Sequence, residues 1–147
     1  MNLKELIPLG TTATKSTRVT RDLTVAHFHD GMPEVYGTPM MIYLMEVAAT
    51  VAIQPFLPDG WVSVGYGVDI KHLAATPVGM HVTARAEVIE VSEASVTFTV
   101  EAHDGTEKIG EGKHVRVPIN VERFNRRIKA KDDARKKNEE LRMKNEE

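Results

Sequence analysis

The run TPMMIYLMEVAATVAIQP, Thr38 to Pro55, decides the fold. Thr followed by Pro is a helix start: the Thr side chain caps, and Pro at the first helical position has no N–H to lose. Pro55 and the Pro58-Asp59-Gly60 turn bound the other end. Between them Met40, Met41, Leu44, Met45, Val47, Ala48, Val51 and Ala52 leave almost no polar face. A helix that is apolar nearly all round is buried nearly all round. The sequence therefore predicts a single helix enclosed by something else.

The flanking segments say what encloses it. Upstream, Thr17 to Val25 alternates apolar and polar residues and predicts a half-buried edge strand, followed by a loop from His27 to Gly37. Downstream, Val62, Val64, Tyr66, Val68 and Ile70 form the apolar side of a second strand. Met80 to Val91, Val96 to His103 and Lys108 to Val117 predict three more. The short connections at Ser92–Ser95 and Asp104-Gly105 favour an antiparallel meander. Beyond Pro118, Asn120 can cap a helix with Phe124 and Ile128 on one docking face, and no heptad is sustained after it. This divides the chain into a domain at residues 1–128 and a charged helical or disordered tail at 129–147.

One strand, a buried helix and four antiparallel strands make an α+β hot-dog fold, in which a curved sheet wraps a long helix. One such sheet covers only part of the helix, so a homodimer or higher homo-oligomer is expected to complete the burial. The 147 residues, 41% hydrophobic, suit one core. With no cysteine there is no thiolate nucleophile, disulfide framework or Cys-ligated metal. The apolar run Pro39–Leu57 carries Tyr43, Glu46, Thr50 and Gln54, a poor composition for a membrane span, and Lys4 and Glu5 interrupt any signal-peptide stretch. A cytoplasmic protein is expected. The net charge of −2 hides an asymmetry: Val121–Glu147 holds 10 Lys/Arg and 7 Asp/Glu, against 9 and 14 in the preceding residues. The acidic body argues against a nucleic-acid surface on the domain.

Three side chains stand out. Glu46 lies mid-helix among apolar neighbours, and a buried carboxylate needs a partner or a proton. An Arg across a subunit interface would explain it without chemistry. His72 shares strand parity with Val68 and Ile70 and so points to the apolar face near a strand end; a satisfied core histidine is the plain alternative. Thr38 is explained fully by capping, unless its hydroxyl and the first-turn N–H groups face a ligand. Eight residues separate Thr38 from Glu46, a rise of ~12 Å and an offset of ~80° on a helix. A compact site would therefore draw on two subunits or be elongated. His27-Phe28-His29 lacks a third ligand for a metal, Gly65-Tyr66-Gly67 and Gly110-Glu111-Gly112 lack the context of a phosphate loop, and no Ser sits in a GxSxG setting. No cofactor is called for.

The segments PEVYGTPMMIYLMEVAA (Pro33–Ala49), GYGVDIKHLAATPVG (Gly65–Gly79), AHDGTEKIGEGKHVRV (Ala102–Val117) and VERFNRRI (Val121–Ile128) together resemble the fluoroacetyl-CoA thioesterase-like group of hot-dog thioesterases. The resemblance implies an acyl-CoA substrate. It implies that Glu46 is nucleophile or general base toward the thioester carbonyl, that His72 assists as acid/base, and that Thr38 orients or polarises the substrate. It further implies Gly65 beside the thioester, with Met32 and Tyr36 in the substrate pocket. Met32 stands where the fluoroacetyl-specific enzyme places an aromatic residue, which implies a different acyl preference. Pro39 supplies no N–H, so an oxyanion hole must use Thr38 or later donors. Two other readings compete. His27-Phe28, Pro33 and Glu46 echo the order of hot-dog hydroxyacyl hydratases/dehydratases, at longer spacing. A non-catalytic acyl-CoA-binding module, with the basic tail on a partner, is the third.

Overall fold

The computed structural model describes residues 1–146; Glu147, the end of the expected tail, lies outside them. The strands are β1 (Thr12–Arg18), β2 (Trp61–His72), β3 (His81–Val91), β4 (Val96–His103) and β5 (Lys108–Asn120). They form one antiparallel sheet in the order β1-β3-β4-β5-β2. The helices are α1 (Leu3–Leu6), α2 (Val25–Phe28), α3 (Thr38–Ile53) and α4 (Val121–Glu146). The sheet curls around α3, the hot-dog architecture that the order of elements predicted.

The sheet's inner face is built for close approach. Val82, Ala84, Ala86 and Val88 of β3 and Val96, Phe98, Val100 and Ala102 of β4 are buried against Met41, Met45, Ala48 and Ala52. Small residues let the helix axis come near the strands, and each large apolar side chain removed from water contributes about 1.5–3 kcal/mol. Gly110 marks the tightest point: a Cβ there would lie 2.5 Å from Met41 Sδ.

Several expectations are corrected. Thr17–Val25 is not a strand. β1 ends at Arg18, its pairing with β3 finishing at His81, and a 3₁₀ turn over Arg21–Leu23 leads into α2. Thr24 closes that turn, its N–H and hydroxyl both donating to the Arg21 carbonyl, and Thr20 donates to the Asp22 carboxylate. β5 runs through Pro118 to Asn120. Beyond Arg116 it has β2 alone as a neighbour, so a residue without an N–H is tolerated there.

Helix α3 is not covered all round. Tyr43 (61% exposed) and Val51 (41%) form an open stripe with half-covered Val47 and Glu46. With the following turn, Thr38–Phe56 is long and apolar enough to cross a membrane by length and composition, despite its polar residues, but here its opposite side is the domain core. Asn120 does cap α4, its side chain accepting from Arg123 N–H at 3.1 Å. Ile128 stays exposed, whereas Phe124 is half-buried at the end of the sheet near Trp61; no described residue of α4 is fully buried. The charged stretch is helical through Glu146, with ion pairs such as Lys129–Asp133 and Arg135–Glu139 along it.

The apolar parity expected for β2 also fails, through a β-bulge between Gly65 and Gly67. Before it, Ser63 and Gly65 face inward and Val62 is exposed; after it, Val68, Ile70 and His72 share the inward register. The bulge carries Tyr66 outward, 79% exposed. His72 thus keeps its predicted face, whereas Val62 and Val64 lose theirs.

Candidate active site

Thr38 is the first residue of α3, and Gly37 occupies the cap position. The approach to the helix is pinned by backbone bonds, Tyr36 N–H to Thr76 O and Gly37 N–H to Leu23 O, and by short bridges Thr24–Tyr36 and Val35–Pro77. The Thr38 hydroxyl makes no cap. It lies 2.7 Å from His72 Nδ1 at the end of β2. The other ring nitrogen, His72 Nε2, is buried and has no hydrogen-bond partner. Burial lowers the His72 pKa below its ordinary value, which the Ala74 backbone only partly offsets. The imidazole is therefore held neutral near pH 7, one nitrogen occupied and the other available. The pair opens on a hollow of about 370 Å³ lined also by Val25, Tyr36 and Leu73–Ala75.

The wall of that hollow is anchored from the β4–β5 turn. The buried Asp104 carboxylate accepts from Thr76 Oγ1, from the backbone and hydroxyl of Thr106, and from Glu107 N–H. Burial alone would raise its pKa; the bonds from Thr106, Glu107 and Thr76 outweigh it and hold the carboxyl at about 2. Tyr36 lines the hollow, but its side chain is buried and its hydroxyl donates to the Met40 carbonyl at 3.1 Å. Burial raises that phenol to about 12. Met32 sits exposed in the preceding loop, and His27 is exposed against the edge of the Phe28 ring.

Glu46 lies elsewhere in the same chain. It lines a separate hollow of about 290 Å³ with Gly65, Tyr66, Gly67 and Val68. Its side chain is 36% exposed in the single chain, where it stands on the open stripe of α3. Gly65 lies close against it, since a Cβ there would lie 3.3 Å from Glu46 Oε1. Within one chain Thr38 and His72 come together, and Glu46 is not with them.

Beneath Glu46 is a polar network that the valine pattern of β5 concealed. The Arg116 guanidinium, almost wholly buried, faces Glu46 Oε2 at 3.9 Å. It donates from Nε to Ser63 Oγ and from Nη2 to the Ser63 carbonyl, both at 2.8 Å. Its Nη1 lies 3.1 Å from His114 Nε2. A guanidinium only donates, so His114 Nε2 must accept and Nδ1–H must donate to the Gly67 carbonyl at 2.8 Å. Burial and the Arg116 charge lower the His114 pKa, against the Gly67 bond and Glu46. The signal in the sequence is His114 and Arg116, two residues apart and so on one face of β5. Among the described residues no group of three His, Cys, Asp or Glu is disposed to hold a metal.

Residues 19–122 match the family model of FlK, fluoroacetyl-CoA-specific thioesterase. The fluoroacetyl-CoA thioesterase of Streptantibioticus cattleyicolor is 41% identical over 102 residues, 69% of this chain and 73% of that protein. A solved structure of the fluoroacetyl-CoA thioesterase superposes with a TM-score of 0.81 at 36% identity, covering 85% of this chain and 97% of that one. A hot-dog-like protein from Thermanaerovibrio acidaminovorans gives 0.82 at 26% identity, covering 89% and 97%. With the family match spanning most of the sheet and all of α3, the chain belongs to the fluoroacetyl-CoA-specific thioesterase family and is a thioesterase built on the hot-dog fold.

Proposed function

We propose that the chain hydrolyses small acyl-CoA thioesters at a site completed by two copies of itself, with Thr38 and His72 from one and Glu46 from the other. The observation that carries this is the Thr38–His72 pair, 2.7 Å apart, with a neutral imidazole whose Nε2 is buried and unpartnered. A nitrogen of that kind can take a proton from a water and pass it to a leaving thiolate. The homodimer is supported by the open stripe of α3 and by β2, which lies at the edge of the sheet and exposes Tyr66 and Val68 beside Glu46. An unpaired edge and an apolar stripe on one side favour a two-fold contact that covers both.

In the proposed reaction Glu46 attacks the thioester carbonyl or deprotonates a water that does. The C–O bond forms, the carbonyl becomes an oxyanion, and Thr38 orients it. Collapse breaks the C–S bond, and the neutral His72, having taken a proton at Nε2 from the added water, passes it to the departing sulfur; where Glu46 itself has attacked, that water opens the glutamyl anhydride. The acyl group is small because the Thr38–His72 hollow is shallow and is walled by the anchored Leu73–Ala75 segment. Met32 and Tyr36 are the proposed substrate-pocket residues, with Gly65 beside the thioester. A cytoplasmic location suits a CoA-dependent substrate.

The test is complementation. Glu46→Gln and His72→Ala chains are each inactive on a panel of acyl-CoA esters followed by thiol release. Refolded together in equal amounts they recover about a quarter of parent activity, since half of randomly mixed dimers carry one intact site of two. No recovery, with mixed dimers formed, would place the whole site in one chain. Inertness of the parent toward every ester would refute the substrate class.

A further inference from the structure

We infer that the Trp61 end of β2 and the first turns of α4 form the receiving site for the phosphorylated adenosine end of coenzyme A; the inference rests on the thioesterase reading above and adds a ligand contact to it. A cavity of about 540 Å³ lies between Trp61, Val117–Asn120 and Phe124, with Arg123, Arg126 and Arg127 on its wall. Arg123 stands over the Trp61 ring, 5.9 Å to its centre, and Arg127 over Phe124 at 5.8 Å. Flat aromatic and guanidinium faces beside unneutralised positive charge suit a purine carrying several phosphates.

Several other arginines and lysines are poor competitors. Arg116 is buried, with Ser63 and His114 taking its donors and Glu46 facing it. Arg85 is paired with Glu87, Arg21 with Glu34, and Lys108 with Glu101 and Glu111. Farther along α4, Lys129, Arg135 and Lys136 are neutralised by Asp132, Asp133 and Glu139. Arg123, Arg126 and Arg127 have no salt-bridge partner among the described residues, and no carboxylate lines their cavity. The distance is also right. Trp61 and Gly65 are four residues apart on one strand, ~13 Å, within the reach of an extended pantetheine arm whose thioester lies against Gly65 and Glu46.

Trp61 is the only tryptophan of the chain and reports on the cavity directly. Adenosine 3′,5′-bisphosphate is expected to change its fluorescence saturably, adenosine 5′-diphosphate more weakly and pantetheine not at all. In the Arg123→Gln/Arg127→Gln variant, kcat/KM for an acyl-CoA falls about tenfold relative to kcat/KM for the same acyl group on N-acetylcysteamine, the scale of one lost charge-assisted bond. Raising salt shrinks that difference. An unchanged ratio together with a silent Trp61 overturns the inference. So does a single-stranded oligonucleotide that perturbs Trp61 more tightly than the bisphosphate while the ratio stays fixed, because the site would then serve nucleic acid. If the parent hydrolyses no thioester, the thioesterase reading fails by itself and the bisphosphate titration alone decides whether the nucleotide site stands.

Discussion

The two hollows flanking α3 differ in kind. At the start of the helix, Thr38 and His72 form one neutral hydrogen bond and leave an imidazole nitrogen free. At its middle, Glu46 faces an arginine tied by three hydrogen bonds to Ser63 and His114, the latter a histidine whose tautomer is fixed by its two neighbours. The first is a reagent with spare valence; the second is a carboxylate held over a rigid charged floor. The contrast teaches that a neutral hydrogen-bonded imidazole and a carboxylate paired with a buried arginine are built on different parts of this fold; on the proposed function they meet when another copy is brought alongside.

The largest effects should come from breaking either half. His72→Ala and Glu46→Gln are each expected to lower kcat by about 10²–10⁴-fold, with thermal stability close to the parent's; equal loss of stability and rate would make both residues structural. Removing the floor is next. Arg116→Ala leaves Ser63 and His114 without their buried partner and is expected to cost about 2–3 kcal/mol in urea unfolding, a range set by unsatisfied buried polar groups. The partly exposed Glu46 contributes little of that, because solvent screens it.

Asp104 sharpens the first half of the comparison. Its folded pKa of about 2 lies below the ordinary 3.8, so the stability it contributes is fully present above that ordinary value and is lost as pH falls through about 2. Asp104→Asn should cost about 2 kcal/mol at pH 7 and flatten the acid limb of the stability curve; an unflattened limb would remove Asp104 as its cause. Smaller still, Thr38→Val should cut kcat about tenfold while changing stability by less than about 0.5 kcal/mol, because the residue is not the cap. A loss near 1 kcal/mol would restore the capping role. For His72 itself, burial means the proton is taken up below the ordinary 6.5, and the group's contribution to stability is lost as pH falls below that value. NMR titration of the ring should show a midpoint under 6.5.

Much of this was legible in order and parity. The sequence of one strand, apolar helix and meander predicts the hot-dog sheet, and the parity of His72 with Ile70 predicts its inward face. What misled was composition read as burial. Alanines and methionines round α3 imply cover on every side, yet the chain's one sheet reaches only part of the helix and leaves Tyr43 and Val51 open. Thr38 before Pro39 has the form of a cap, but tertiary bonds at Tyr36 and Gly37 shift the helix start by one residue and free the hydroxyl. The Arg116 network was hidden because Val115, Val117 and Ile119 carry the apolar signal of β5 on the opposite side from the core. Local pattern cannot say which face of a strand a bulged neighbour will turn inward.

That bulge has a genetic consequence. Tyr66 is the extra residue of the bulge: Gly65 pairs with Arg116 and Gly67 with Val115, so losing its codon leaves every later pairing and face as it is. Losing one codon after the bulge, at Val68 or Asp69, instead turns Ile70 and His72 outward together and parts the imidazole from Thr38 with neither residue mutated. Descendants of this chain can therefore drift in spelling and in length at Tyr66, while the reading length from Gly67 to His72 stays fixed.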